Sequence, residues 1–239
     1  MWAGYVVGVG QDLTEPLAGA LLLGALSAIR AGRFGPAVLA LTAAALTRET
    51  TLVLAVAVLL ASVLSARQAP PWWVGAVPLL AYAGWRTWVR ARWSGQVPDP
   101  PSDNPLELPV TALMDYVGHA VTHVGAEWPN LVLLVPTLAA LLLAASGLRL
   151  RDAPLHERLA LAGYLLVLLC LPVWERGQAY LRWGCEPMLL GWLLLVGRRH
   201  ERTLAGLAVL SVVLWLVTTT QSVGYPRLDG SWSGVWTWS

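Results

Sequence analysis

LTAAALTRETTLVLAV (residues 41–56) sets an arginine beside a glutamate, Arg48 and Glu49, near the middle of an otherwise almost wholly aliphatic run from about Phe34 to Ser65. As one helix that run would be about 48 Å long at roughly 1.5 Å per residue, well over the ~30 Å hydrocarbon layer of a bilayer. Broken at Thr47–Thr50, it becomes two segments of about 20 Å each, too short to cross fully, so their junction lies below the membrane surface. An arginine at that depth costs about 2.5 kcal/mol or more unless it is paired or solvated in a cavity. Arg48 is therefore expected to face protein or a polar chamber, with Glu49 or another acid beside it.

The rest of the chain supports a bilayer as the solvent. Of 239 residues 56% are hydrophobic and 13% charged, about half the charge of an ordinary soluble domain. The apolar blocks are several, and stretches such as LVLLVPTLAALLLAA (131–145) do not alternate in polarity as barrel strands do. No basic n-region opens the chain, which argues against a cleaved signal peptide. The expected fold is all-α, one integral membrane domain over residues 1–239. Eight apolar helices, some short, are read at about 15–30, 34–47, 49–65, 72–92, 130–148, 157–173, 184–198 and 202–219. Residues 93–129 form an extracytoplasmic insertion, in which 110–128 carries a helical apolar stripe suited to lying on the membrane or capping a cavity.

Arginine bias gives the orientation. One face collects nine arginines in tight turns such as IRAGR, GLRLR and GRRHER with only Asp152, Glu157 and Glu201; the other has seven arginines and eleven acids. The first is read as cytoplasmic, so both termini, the 93–129 insertion and the Arg48–Glu49 turn lie outside. Trp72, Trp73, Trp85, Trp88, Trp93, Trp128, Trp174 and Trp183 flank the apolar blocks, where indoles favour the headgroup layer. The net charge of +2 excludes a nucleic-acid footprint, and Cys170 and Cys185 are too few and too apolar in setting for a metal site.

Three charged clusters share the outer face: Asp12 and Glu15 at the start of the first helix, Arg48 and Glu49, and the turn PVWERGQAYLRWGCEPM (172–188) with Glu175, Arg176, Arg182 and Glu186. Arginine forks suit phosphate, and carboxylates suit hydroxyl binding or proton abstraction. Ordinary capping explains one acid of the first pair, and an interfacial loop with snorkelling arginines is the plain alternative for the third cluster. His119 and His123, four residues apart, share a helix face compatible with metal ligation, but the sequence places no third ligand.

DLTEPLAGALLLGALSAIRAGRFGPAVLALTAAALTRET (12–50) resembles a stretch of the GT-C superfamily of membrane glycosyltransferases, and AYLRWGCEPMLLGWLLL (179–195) is similar to the arginine-then-proline segment these enzymes carry before a late span. The resemblance implies a bacterial plasma-membrane enzyme, mannosyltransferase-like. It would transfer a glycosyl unit from a polyprenyl-phosphate sugar to a hydroxyl of a cell-envelope glycan, lipid or protein outside the cytoplasm. It implies donor-phosphate binding by Arg48 and Arg182, with Glu49, Glu186, Arg176 and Tyr180 in the same site, and an acceptor-side carboxylate from Glu15 or Asp12. No tightly bound cofactor is expected, although some relatives use a divalent ion. The family's usual first span and acidic outer loop have no counterpart ahead of MWAGYVVGVGQDLTEP, so an upstream portion is expected. The rival readings are a transporter or flippase of a lipid-linked saccharide, and an inactive truncated relative.

Overall fold

The computed structural model describes residues 14–65, 69–93, 107–174, 177–197, 200–222, 225–226 and 232–233. These are almost entirely helical: α1 (Thr14–Arg30), α2 (Phe34–Thr47), α3 (Leu52–Leu64), α4 (Trp73–Trp93), α5 (Thr111–Thr122), α6 (Val124–Ala145), α7 (Leu155–Leu169), α8 (Gly177–Trp183), α9 (Cys185–Gly197) and α10 (Glu201–Ser222). Short 3-10 turns at Glu49–Thr51 and Ser146–Arg149 precede α3 and follow α6. Tyr225–Pro226 and Trp232–Ser233 pair antiparallel.

Each of the eight expected apolar segments has a helix at its place, and two of the expectations change. The 110–128 stripe does not form one helix: it breaks at His123, which caps α5 and starts α6, so the following apolar helix begins at Val124. The turn at 172–188 contains a helix of its own, α8. Among the described residues, two stretches are long and apolar enough by length and composition to cross a membrane, Asn130–Arg149 and Glu201–Thr218; Phe34–Thr47, Glu49–Leu64 and Cys185–Gly197 are shorter apolar helices.

Helices α1 and α2 form a hairpin through Gly32, whose φ of +70° suits a residue without Cβ. Helix α4 packs on both α2 and α3, which barely touch each other; α3 packs on α7, α7 on α9, α9 on α6 and α6 on α10. Small residues set the spacing. A Cβ on Gly75 of α4 would meet the backbone of α3 at Ala55 O and, at 2.9 Å, Leu59 N. On Gly191 of α9 it would lie 2.9 Å from the Cα of Ala144. Such close approaches favour helix association where no hydrophobic driving force acts between helices.

Two cores result. Leu22, Leu26, Leu41, Leu54, Leu161 and Leu190 belong to one, built from α1–α4, α7 and α9. The other gathers α5–α10 around Leu134, Leu168, Trp174, Tyr180, Met188 and Leu207. Helices α7 and α9 contribute to both, tying the halves together. At the end carrying the basic turns, Arg30 closes a bidentate pair on the fully buried Glu157, with Nε–Oε1 and Nη2–Oε2 both at 2.7 Å. The outward faces are apolar as well: Leu39, Val63, Leu80, Leu142 and Val209 are all exposed.

Candidate functional site

The break in the Phe34–Ser65 run is local backbone chemistry. Helix α2 ends where Arg48 turns extended, at φ −151° and ψ 121°, while its N–H still reaches Ala44 O at 2.8 Å. The threonines around it supply partners that the interrupted ladder loses. Thr47 Oγ1 donates to Ala43 O and Thr51 Oγ1 to Arg48 O, both at 2.8 Å. Side-chain bonds of this kind are how Ser and Thr settle interrupted helix ends. Thr50 Oγ1 points further, donating to Glu186 Oε1 at 2.8 Å.

Extended backbone sends successive side chains to opposite sides, and this separates Arg48 from Glu49. Arg48 turns inward between two carboxylates, with Nη1 3.2 Å from Glu186 Oε1 and 3.7 Å from Glu15 Oε1. Its Nη1 and Nη2 also donate to Arg182 O, at 3.4 and 3.3 Å, and its guanidinium lies 5.6 Å from the Trp183 ring centroid. Arg182 Nε in turn donates to Glu15 Oε1 at 2.6 Å. Two arginines 134 residues apart thus share one carboxylate, Glu15. The side chains of Glu15 and Glu186 are 0% and 3% exposed, Arg48 11% and Arg182 31%.

The helices help to hold these charges. Glu15 and Glu186 occupy the first turns of α1 and α9, where the helix dipole favours an anion. Arg182 stands in the last turn of α8, where it favours a cation. Burial of ions is costly unless the partners are close and hydrogen-bonded; the quartet meets this except at Glu186 Oε2, which is buried without a hydrogen-bond partner among the described residues.

Three of the quartet, Glu15, Arg48 and Arg182, line an open cavity of about 490 Å³; Glu186, paired to Arg48, does not. One connected group in its lining is Glu15, Arg48, Arg182 and Trp183; another is Glu49, Tyr82 and Arg86, with Trp85 also in the lining. Glu49 was expected to orient Arg48, and it does not. Its carboxylate, 61% exposed, accepts from Tyr82 Oη at 2.7 Å and lies 3.9 Å from Arg86 Nη1.

Tyr180 takes a different place from that of a ligand-binding residue. It is fully buried, stacks on Trp174 at 5.8 Å between ring centroids, and donates to Asn130 Oδ1 at 3.0 Å. Asn130 Nδ2 donates to Tyr116 Oη and to Trp174 O, and Tyr116 Oη to Glu127 Oε2 at 2.8 Å. Burial, and then the nearby Tyr116 phenol, push the Tyr180 pKa up, so it remains a neutral donor. This chain fixes α8 against α6, and α8 carries Arg182. Tyr180→Phe removes this hydroxyl donor to Asn130 and should lower stability by about 0.5–1.5 kcal/mol, read from thermal unfolding of the purified protein in detergent.

Asp12 and Arg176 lie outside the described residues. His119 and His123 stack at 4.4 Å, and His119 Nε2 is 3.7 Å from Glu127 Oε1. Among the described residues no group of three His, Cys, Asp or Glu side chains could hold a metal. Cavity residues missed as site residues include Thr50, Tyr82, Trp85 and Arg86. Thr50 stands in the quoted motif and was readable as a polar group at depth. The other three carry no signal in sequence, because only the packing of α4 brings them to Glu49. No protein-family model, curated protein or solved structure matches the chain.

Proposed function

We propose that the chain is a multi-pass protein of the bacterial plasma membrane. In this reading it transfers a glycosyl unit from a polyprenyl-phosphate sugar to an acceptor hydroxyl at the extracytoplasmic face, as GT-C enzymes do. The observation that carries it is the meeting of Arg48 and Arg182 at one cavity, over buried Glu15 and Glu186. An isolated snorkelling arginine needs no such partners; a cluster of fixed cations beside open volume is what a phosphodiester requires. The apolar outward faces and the arginine-rich turns at the opposite end are consistent with a bilayer and with the cavity facing outside.

Arg182, the more exposed cation of the pair, contacts the donor phosphate, and Arg48 adds a second positive charge behind it. Glu15 is sealed and ion-paired, so it holds the arginines in place and leaves proton chemistry to another group. Leu22, Leu26, Leu41, Leu54, Leu161 and Leu190, all buried, separate this end from the Arg30–Glu157 pair. A closed core of that kind favours one-sided chemistry over the alternating access of a transporter.

The test is retention of a radiolabelled polyprenyl-phosphate hexose by the full chain in lipid nanodiscs. Arg182→Ala should weaken retention about 10- to 100-fold, the loss of one or two charge-assisted hydrogen bonds, and Arg182→Lys less. Undiminished retention by Arg182→Ala would refute the phosphate site.

A further inference from the structure

Building on the transferase reading, we infer that the α4 wall of the cavity is the acceptor subsite, that the acceptor is a carbohydrate hydroxyl, and that Glu49 takes its proton.

Two carboxylates line the cavity, and the structure divides their work. Glu15 is buried against two arginines. Glu49 faces the open volume, with Tyr82 donating to Oε2 and thereby fixing the plane of the carboxylate. It lines the same cavity as Arg182, and a glycosyl unit whose phosphate rests on Arg182 extends its anomeric carbon into the volume they share. The acceptor oxygen attacks that carbon as the bond to the phosphate oxygen breaks. The bonding electron pair leaves with the lipid phosphate, which Arg182 and Arg48 stabilise, and the hydroxyl proton passes to Glu49. Oxidation states do not change, and the only reactants are the lipid-phosphate sugar and the alcohol.

The carbohydrate assignment comes from the aromatic surface that continues out of the cavity. Trp85 lines the cavity and stacks on Trp88 at 5.2 Å and 26° between planes, and Trp88 meets Trp93 edge-on at 5.5 Å. All three indoles are exposed. Their electron-rich faces suit the C–H faces of pyranose rings, and Arg86, half exposed beside them, supplies hydrogen-bond donors to ring hydroxyls. A protein acceptor would need an extended strand or helix groove, and this wall offers a row of ring-sized platforms instead.

The experiment uses the full chain in nanodiscs, a labelled polyprenyl-phosphate hexose as donor, and either a soluble trisaccharide or a serine-containing peptide as acceptor. Glu49→Gln should retain donor within about twofold of wild type while transfer falls about 10²- to 10⁴-fold, the range of a general base. Its remaining rate should lose the acid limb of the wild-type pH profile, and Glu49→Asp should recover part of both. Trp85→Ala should raise the trisaccharide KM about tenfold with donor retention unchanged. Wild-type transfer by Glu49→Gln, an unchanged KM in Trp85→Ala, or preference for the peptide would overturn the acceptor subsite while leaving the phosphate site standing. Failure of the wild type to retain donor would overturn the phosphate site itself, and with it this inference.

Discussion

Arg48→Ala is expected to lower the stability of the protein by about 3–5 kcal/mol, the cost of leaving buried charge uncompensated, and to abolish donor retention. The size follows from what remains behind. Among the described residues Glu186, 2% exposed, would keep the Thr50 hydroxyl as its side-chain partner, and Glu15 would keep Arg182 alone of the two arginines. Arg182 O would lose both guanidinium donors as well. Thermal unfolding of the full chain in detergent measures the loss. Adding Glu186→Gln to Arg48→Ala should recover stability, because it removes the more isolated of the two stranded charges. Recovery of stability without recovery of donor retention is the expected pattern, since the second variant restores neutrality and not a cation. Should Arg48→Ala unfold at the wild-type temperature, the quartet contributes nothing to the fold, and its claim as a built site goes with it.

Gly75→Val should destabilise by about 3 kcal/mol, at the upper end of overpacking costs. The new side chain would run into the Ala55 carbonyl and the Leu59 amide of α3, which are main-chain atoms inside a helix and cannot rotate aside. Gly84→Ala in the same helix is the matched control. Nothing lies within 4 Å of the added Cβ there, so it should be neutral or stabilising by about 0.5–1 kcal/mol through helix propensity. The effect of Gly75→Val should also reach the cavity. Tyr82 lies seven residues along α4, about 10 Å away, and only the seating of α4 on α3 aligns it with Glu49. Transfer should therefore fall in this variant even below its unfolding temperature. Equal behaviour of the two glycine variants would show that the α3–α4 spacing is slack.

Part of this was legible in the sequence, and the boundary has a physical basis. Arg48, Arg182, Glu15 and Glu186 stand out because charge inside apolar runs is costly enough to need partners, whatever the fold. Their convergence is a consequence of that cost. Helix positions were readable for the same reason, through long apolar stretches. The partner of Glu49 was misread because neighbouring side chains do not face each other on a helix and point to opposite sides on extended backbone. The sequence placed the end of α2 at Thr47, but not the extended conformation of Arg48 that turns it away from Glu49. Tyr180 was misplaced because α8, at seven residues, is too short for periodicity to reveal which face turns inward. The α4 wall was invisible for a third reason: its register is set by tertiary packing on α2 and α3, including the close approach of Gly75 to the α3 backbone.

Counting Glu186, which pairs with Arg48 but does not line the cavity, the charges at the cavity sum to zero among the described residues: Arg48, Arg86 and Arg182 against Glu15, Glu49 and Glu186. Interleaved signs at such short range cancel within a few ångströms, so the mouth projects little potential into the surrounding water and cannot draw anions from a distance. On the proposed transferase reading, the lipid-linked donor then arrives by lateral diffusion within the leaflet and is recognised on contact. Its capture rate should accordingly be nearly indifferent to ionic strength, unlike that of a protein that fishes charged solutes from bulk solvent.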